Sequence, residues 1–291
     1  MQKRRRQSRS WRRAGVMSGA ILAVITGGVS VSATITQEQR VKQQLTQLQI
    51  EIEKQRLRLS SIESEDRRAA VTRLGSMHHP EASRAAISAL SDPSPIVRAT
   101  AAAAVLYLPA EESAASLLPL LADQDEFVRQ HVAYALGRTR SPAAVPGLME
   151  RLADKYDSVR GSAAVALGEI ADRRAVSSLA AVLNPAAGEI PTKKKNKKSK
   201  REQNAFVLRA AARSLGQIGD RAGAPALIVV LQDEKAEDDV RREAALALGA
   251  IGDPVAIPAL RGVLTARDPY LSHAAHEAIQ KISRLQNSPG T

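Results

Sequence analysis

The 291-residue sequence contains no cysteine, so disulfides and thiolate chemistry are excluded, and an oxidising compartment would pose no hazard to it. Aromatic residues are nearly missing as well: one Trp, four Tyr and two Phe make up 2% of the chain. Its core must therefore be assembled from Ala, Leu, Val and Ile, a composition that favours closely packed helices over sheets. Acid is scarcer than base, with 30 Asp and Glu against 42 Lys and Arg, but the excess is local. Seven basic residues stand in the first thirteen and seven more between Lys193 and Arg201; without those fourteen, 28 basic residues face 30 acidic ones. The net charge of +12 therefore does not give the folded body a basic face of the kind that binds nucleic acid.

No charged residue occurs from Ala14 to Gln37. Residues 14–33, as a helix of about 30 Å, match the thickness of a bilayer's hydrocarbon core. Eight of those twenty residues are Gly, Ser or Thr, and Val31-Ser32-Ala33 could serve as a cleavage site, so a secretory signal is the alternative to a retained anchor. Arg12-Arg13 opens a twin-arginine reading too. In each case the basic head, residues 1–13, predicts a cytoplasmic amino terminus and an exported body. The expectation is a single-pass inner-membrane protein with its body on the periplasmic side, or a soluble exported one.

Residues 37–65 contain neither Gly nor Pro. Val41, Leu45, Leu48, Ile52, Gln55, Leu59 and Ile62 follow the alternating four-and-three spacing of a coiled-coil seam. Glu51 with Arg56 and Arg58 with Glu63 would attract across a parallel dimer. This predicts a dimeric stalk; the alternative is an amphipathic helix that folds back on the next domain.

Repeats are the strongest signal. "VRATAAAAVL" begins at Val97, "VRQHVAYALG" at Val128, "VRGSAAVALG" at Val159, "VLRAAARSLG" at Val207, "VRREAALALG" at Val240 and "LSHAAHEAIQ" at Leu271, with a degenerate "DRRAAVTRLG" at Asp66. Successive offsets are 31, 31, 31, 48, 33 and 31 residues, the period of a solenoid. Each unit reads as two helices, as in "AAVPGLMERLA" followed by "VRGSAAVALGEI", with Asp157 or Ser158 capping the second. Paired alanines such as Ala163-Ala164 and Ala244-Ala245 remove bulk where adjacent units meet, and Gly252-Asp253-Pro254 ends one helix and starts the next.

The "VR-x-x-AA-x-ALG-x-IGD" pattern, most complete from Val240 to Asp253, resembles the HEAT-like repeats of the phycobilin-lyase type over residues 66–285. The resemblance implies an all-α, right-handed solenoid of six to seven helix pairs with a concave binding face, interrupted by an insertion at 185–205 and followed by a tail at 286–291. Such solenoids serve as scaffolds, adaptors, chromophore-lyase subunits and, in one family, an enzyme. Sequences similar to deoxyhypusine hydroxylase hold two iron ions with several His-Glu pairs. Here only His276-Glu277 forms such a pair, at the position of a polar end cap, while His78-His79 lie in a loop and His131 is solitary. No phosphate loop or nucleophile elbow is present, so catalytic, cofactor-binding and metal residues are expected to be absent. The recurring Arg98, Arg129, Arg160 and Arg241 stand in register with Asp125, Asp157 and Asp238, which predicts structural ion pairs.

Within the insertion, Lys193, Lys194, Lys195, Lys197, Lys198, Lys200 and Arg201 form a candidate polyanion-binding run. No aromatic is interleaved with it, so its binding would be electrostatic and without sequence preference. In an exported protein its counterparts would be anionic lipid, polysaccharide or acidic protein surfaces. The function expected from these features is a membrane-tethered, non-enzymatic scaffold that presents its concave face to a protein partner. The alternatives are an accessory subunit of lyase or chaperone type for a tetrapyrrole protein, and nucleic-acid binding through the Lys-rich loop.

Overall fold

The computed structural model describes residues 37–184 and 204–287, and among them the only regular elements are helices, fourteen of them α-helical. The described residues from Leu45 onward form one compact unit. Helix α1 (Gln37–Arg58) is followed by α2 (Ser64–Ser76), and then come the pairs α3 (Pro80–Ala86) with α4 (Pro95–Ala104) and α5 (Ala110–Leu117) with α6 (Glu126–Thr139). The series continues with α7 (Val145–Arg151) and α8 (Asp157–Ile170), α9 (Val176–Leu183) and α10 (Ala205–Ile218), α11 (Ala224–Gln232) and α12 (Asp238–Ile251), and α13 (Ile257–Gly262) and α14 (Pro269–Asn287). The six sequence copies from Val97 onward all fall on the second helix of a pair, as expected.

Four of the corners between units share one construction. The chain leaves α10 and α12 through Gly219 (φ 70°) and Gly252 (φ 74°), and α6 and α8 through Arg140 (φ 54°) and Ala171 (φ 58°), all left-handed. The next residue then caps the following 3-10 turn: the side chains of Ser141, Asp172, Asp220 and Asp253 accept from the backbone N–H two positions on. One dipeptide thus satisfies both helix ends, which is the physical content of the recurring Gly-Asp.

Leucines of the second helices, among them Leu136, Leu167, Leu215 and Leu248, are fully buried and meet Leu148, Leu179, Leu227 and Leu260 of the first helices in one core. Consecutive second helices pack on each other through glycine. A Cβ added at Gly137, Gly216 or Gly249 would lie 2.7, 2.9 or 2.8 Å from the Cα of Ala166, Ala247 or Ala278. Backbones this close gain dispersion contacts that a chain poor in aromatics cannot obtain from large side chains. The contact alanines are not the paired ones singled out in the sequence but Ala166, Ala247 and Ala278, each two or three residues further on.

The predicted parallel stalk is corrected. On α1, Ile52 is 6% exposed and Gln55 is buried, while Leu48 and Leu59 are half-buried, all packed on the solenoid of their own chain. Glu51 accepts from Arg73 of α2 at 3.1 Å, and Arg58 meets Asp66 at 3.2 Å. Ile62 falls beyond the helix and is 95% exposed. Over three heptads a coiled-coil seam and the apolar stripe of a docking helix have the same spacing, and tertiary packing decided for the second. The side chains of Val41 and Leu45 lie outside the described residues. Single-pass membrane placement is corrected as well: no helix among the described residues is long and apolar enough to cross a membrane, and the segment 14–33 on which that expectation rested lies outside them.

Candidate functional site

Repeat copies can be aligned on the valine that opens each motif, Val97, Val128, Val159, Val207 and Val240, with Leu271 in the last. The residue before it and those three, six and ten after it fall within a sector of roughly 60° on a helix of 3.6 residues per turn. The buried valine, alanines and leucine point elsewhere, so this sector is the face the second helices leave uncovered. Ile96, Phe127, Phe206 and Tyr270 occupy the preceding position, Tyr134 and Leu246 the sixth and Tyr107 the tenth, and all seven are exposed.

That placement inverts the usual role of aromatics. None of the six Phe and Tyr residues enters the core, and Tyr156, the sixth, covers the Arg129 guanidinium at 5.7 Å. The other five sit on the open face, with exposures from 39% for Phe127 to 70% for Tyr270. Two contact imidazoles: Tyr107 is stacked on His78 with ring centroids 4.5 Å apart, and Phe127 meets His131 at 4.0 Å with the rings tilted by 48°. The Phe206 ring lies over Gly161, where a Cβ would come within 1.9 Å of it. Exposed aromatics in register are what a solenoid needs for contact with a partner, because large rigid rings bury much area at little cost in conformational entropy. Sequence reasoning did not place these residues, and the alignment position just before the valine was the signal available.

The motif arginines are structural, and some of their partners differ from the expected ones. Arg67, Arg98 and Arg129 each form two-pronged bonds to an aspartate of the following unit, Asp92, Asp123 and Asp154, at 2.6 to 3.1 Å. Each also donates through Nη1 to two carbonyls of the loop before its own helix. Asp125 serves instead as the cap of α6. Arg160 does pair with Asp157, and Arg241 meets Asp238 at 3.7 Å and donates to the Leu231 carbonyl. Asp157 lies in the first turn of α8 rather than capping it. The Arg67 hydrogen bonds hold Asp92 below the usual carboxylate range against the opposing effect of burial. Burial pushes Asp123 and Asp154 up, but Arg98 or Arg129 together with a backbone N–H outweighs it and leaves both lowered.

The remaining sequence candidates are dispersed. His79 caps α3 by accepting from the Glu81 N–H, His131 Nδ1 lies 2.8 Å from the Phe127 carbonyl oxygen, and His273 approaches Glu277 at 3.9 Å. Among the described residues no group of three potential metal ligands forms. An open groove of about 680 Å³ lies between the end of α1 and α3, lined by Arg56, Leu59, Arg67, Arg84 and several serines. Arg67 and Arg84 are already paired, with Asp92 and Glu112. The basic run from Lys193 to Arg201 lies outside the described residues; its flanks close α9 at Leu183 and open α10 at Ala205, so the interrupted unit keeps both helices.

The HEAT-repeat profile matches residues 54–130, 83–168, 114–190 and 199–280. The chain belongs to the HEAT-repeat family. No curated protein matches it. Among solved structures, YibA of Escherichia coli is similar with a TM-score of 0.56 at 20% identity, covering 87% of this chain and 89% of that one. The complex of CpcE and CpcF of phycocyanin lyase from Nostoc gives 0.46 at 23%, over 82% and 89%. Human deoxyhypusine hydroxylase gives 0.39 at 20%, over 86% and 93%. The expectation that the protein is not an enzyme is corrected: the HEAT-repeat match fixes the fold, and a HEAT-repeat fold does not decide between a scaffold and an enzyme. HEAT repeats as a class are consistent with a role in protein–protein interaction.

Proposed function

We propose that this HEAT-repeat protein binds another protein through the open face of its second helices. The observation that carries the reading is the distribution of its few aromatics: five of the six Phe and Tyr residues stand exposed on that face and none contributes to the core. The described solenoid also carries many intramolecular Arg–carboxylate pairs, which leaves contact with apolar and neutral groups as the main source of affinity there. A photo-crosslinking residue at Tyr134 is expected to capture a defined protein in the source cells, whereas one at Val255, exposed beside the first helices, is not. Equal labelling from both positions, or none from Tyr134, would sink the reading.

A second reading is favoured by one feature of the same face. The stacked rings of Tyr107 and His78 suit a planar conjugated group as well as a peptide. In that reading the chain is a lyase-like accessory subunit that handles a tetrapyrrole, an activity of the kind named for phycocyanin lyase. A bilin mixed with the full chain should then show a shifted and intensified absorption band; an unchanged spectrum excludes it.

A further inference from the structure

The row ten positions after the motif valine, on the same open face, leaves opposite charges side by side and unpaired. It carries Tyr107 just after α4, Arg138 on α6, Glu169 on α8, Gln217 on α10, Ala250 on α12 and Lys281 on α14. Arg138 is exposed and interacts first with the Tyr134 hydroxyl, one turn back on its own helix, and then with Glu169 and Tyr107. Glu169 is half-buried, and its Oε2 lies 2.9 Å from the place a Cβ on Gly137 would take, so its carboxylate rests against the backbone of α6. Among the described residues neither Arg138 nor Glu169 closes an ion pair. The charges on the other half of the face differ in this respect: Arg213 is closed on Glu243 at 2.7 Å and Asp239 on Arg209 at 2.7 Å, both between α10 and α12.

Aromatic area holds a partner, whereas a cation and an anion on adjacent helices select which partner is held and in which register. Packed helices lie about 8–10 Å apart, the span of about three residues in an extended chain, so one segment crossing the second helices can meet Arg138 and Glu169 with side chains three residues apart. A guanidinium presents planar donors that match a carboxylate, and the Tyr134 hydroxyl beside it is a further donor. Glu169 repels an acid approaching from the α8 side, while Tyr107 leaves the α4 side without an opposing charge; the acid is steered to α6 from there, and a base is favoured over α8. Resting on the protein-binding reading above, we infer that the partner segment on the open face seats a carboxylate on Arg138 and, three residues away, a basic side chain on Glu169. Phe127, Tyr107 and Tyr134 supply contact area. The charge pair sets direction, because the same segment reversed would place acid on acid.

The test is selection of a random peptide library displayed on phage against the full chain, with excess polyglutamate present to occupy the Lys193–Arg201 run, followed by binding of a synthesised winner to variants that keep the circular dichroism of the natural chain. Winners are expected to carry an acidic and a basic residue three positions apart. Such a peptide should bind Arg138→Glu at least about tenfold more weakly than the natural chain. The same peptide with its acid changed to Lys should instead prefer Arg138→Glu, a reversal that structural damage cannot produce. Arg213→Ala, on a charge already paired, should change affinity by less than about twofold. Winners without the acid–base pair, a winner weakened by Tyr134→Ala but indifferent to Arg138→Glu, or a larger loss in Arg213→Ala than in Arg138→Glu would overturn the inference and leave the protein-binding reading standing. Winners indifferent to Tyr134→Ala as well, or no enrichment above an unrelated control protein, would overturn both.

Discussion

Substituting Gly137 by alanine sets two effects of similar size against each other. Alanine is favoured over glycine inside a helix by about 1 kcal/mol, so Gly137→Ala would stabilise α6 taken alone. In the stack the new methyl would lie 2.7 Å from the Ala166 Cα and 2.9 Å from its Cβ, where ordinary contact begins at 3.4 Å. Backbone cannot swing aside as a side chain can, so α8 must retreat by about 0.7 Å along a fully packed seam. Overpacking of this kind costs about 1–3 kcal/mol, which leaves a net loss of roughly 1 kcal/mol. Gly262, at the end of α13 with nothing within 4 Å of an added Cβ, is the control in which only the helical preference acts. Urea unfolding should show a lower midpoint for Gly137→Ala and an equal or higher one for Gly262→Ala. Hydrogen exchange should localise the first loss to α6 and α8, since a solenoid unit contacts only its neighbours. A raised midpoint in Gly137→Ala would refute the proposed glycine-mediated stacking.

Other consequences can be measured on the same material. Arg129→Leu strands Asp154, whose side chain is 6% exposed, and should cost about 3–5 kcal/mol, with most of that recovered in the Arg129→Leu/Asp154→Leu double variant. Because Asp92, Asp123 and Asp154 have pKa values lowered by folding, the stability they contribute is complete above the unfolded carboxylate value near 3.8 and is lost as pH falls through their lower folded values. Acid titration of the fold should therefore steepen below that value, and Asp154→Asn should flatten the curve. Ala171→Gly relieves a left-handed alanine at φ 58° and should raise stability by about 0.5–1 kcal/mol; a loss would show that the corner carries no strain. Gly161→Ala must displace the Phe206 ring, so a crosslinker or fluorescent probe at position 206 should report a changed environment with little change in unfolding midpoint.

How far the sequence carries depends on whether a feature is local. The second helices were legible because valine, alanine, leucine and glycine recur at spacings that one helix turn explains, and the Gly252-Asp253 corner because its chemistry is contained in two residues. The arginine partners were half legible: the pairing of Arg160 with Asp157 lies within one turn, whereas Arg129 reaches 25 residues on to Asp154, a distance set by how units stack. The stripe of Leu48, Ile52 and Leu59 was visible, yet whether it faces another chain or its own solenoid is not written in its periodicity. The candidate site was least legible, because exposure of an aromatic depends on the face it occupies. Phe127 and Phe206 became comparable only once both were aligned on the valine that follows them.

The corners also explain where this chain can vary. From α6 to the turn before α7, from α8 to that before α9, and likewise after α10 and α12, two residues suffice. Between a first helix and its second helix the connection ranges from the three residues after Ser91 to the long stretch between Leu183 and Ala205. One edge of the solenoid is therefore a hem of short stitches, two or three residues each, and the other a selvedge left open to insertions. New segments can be grafted at the open edge, beside the residues that precede each motif valine, without restitching the stack. The interrupted unit, with both helices in place around a lysine-rich insert, shows that this chain has already accepted one.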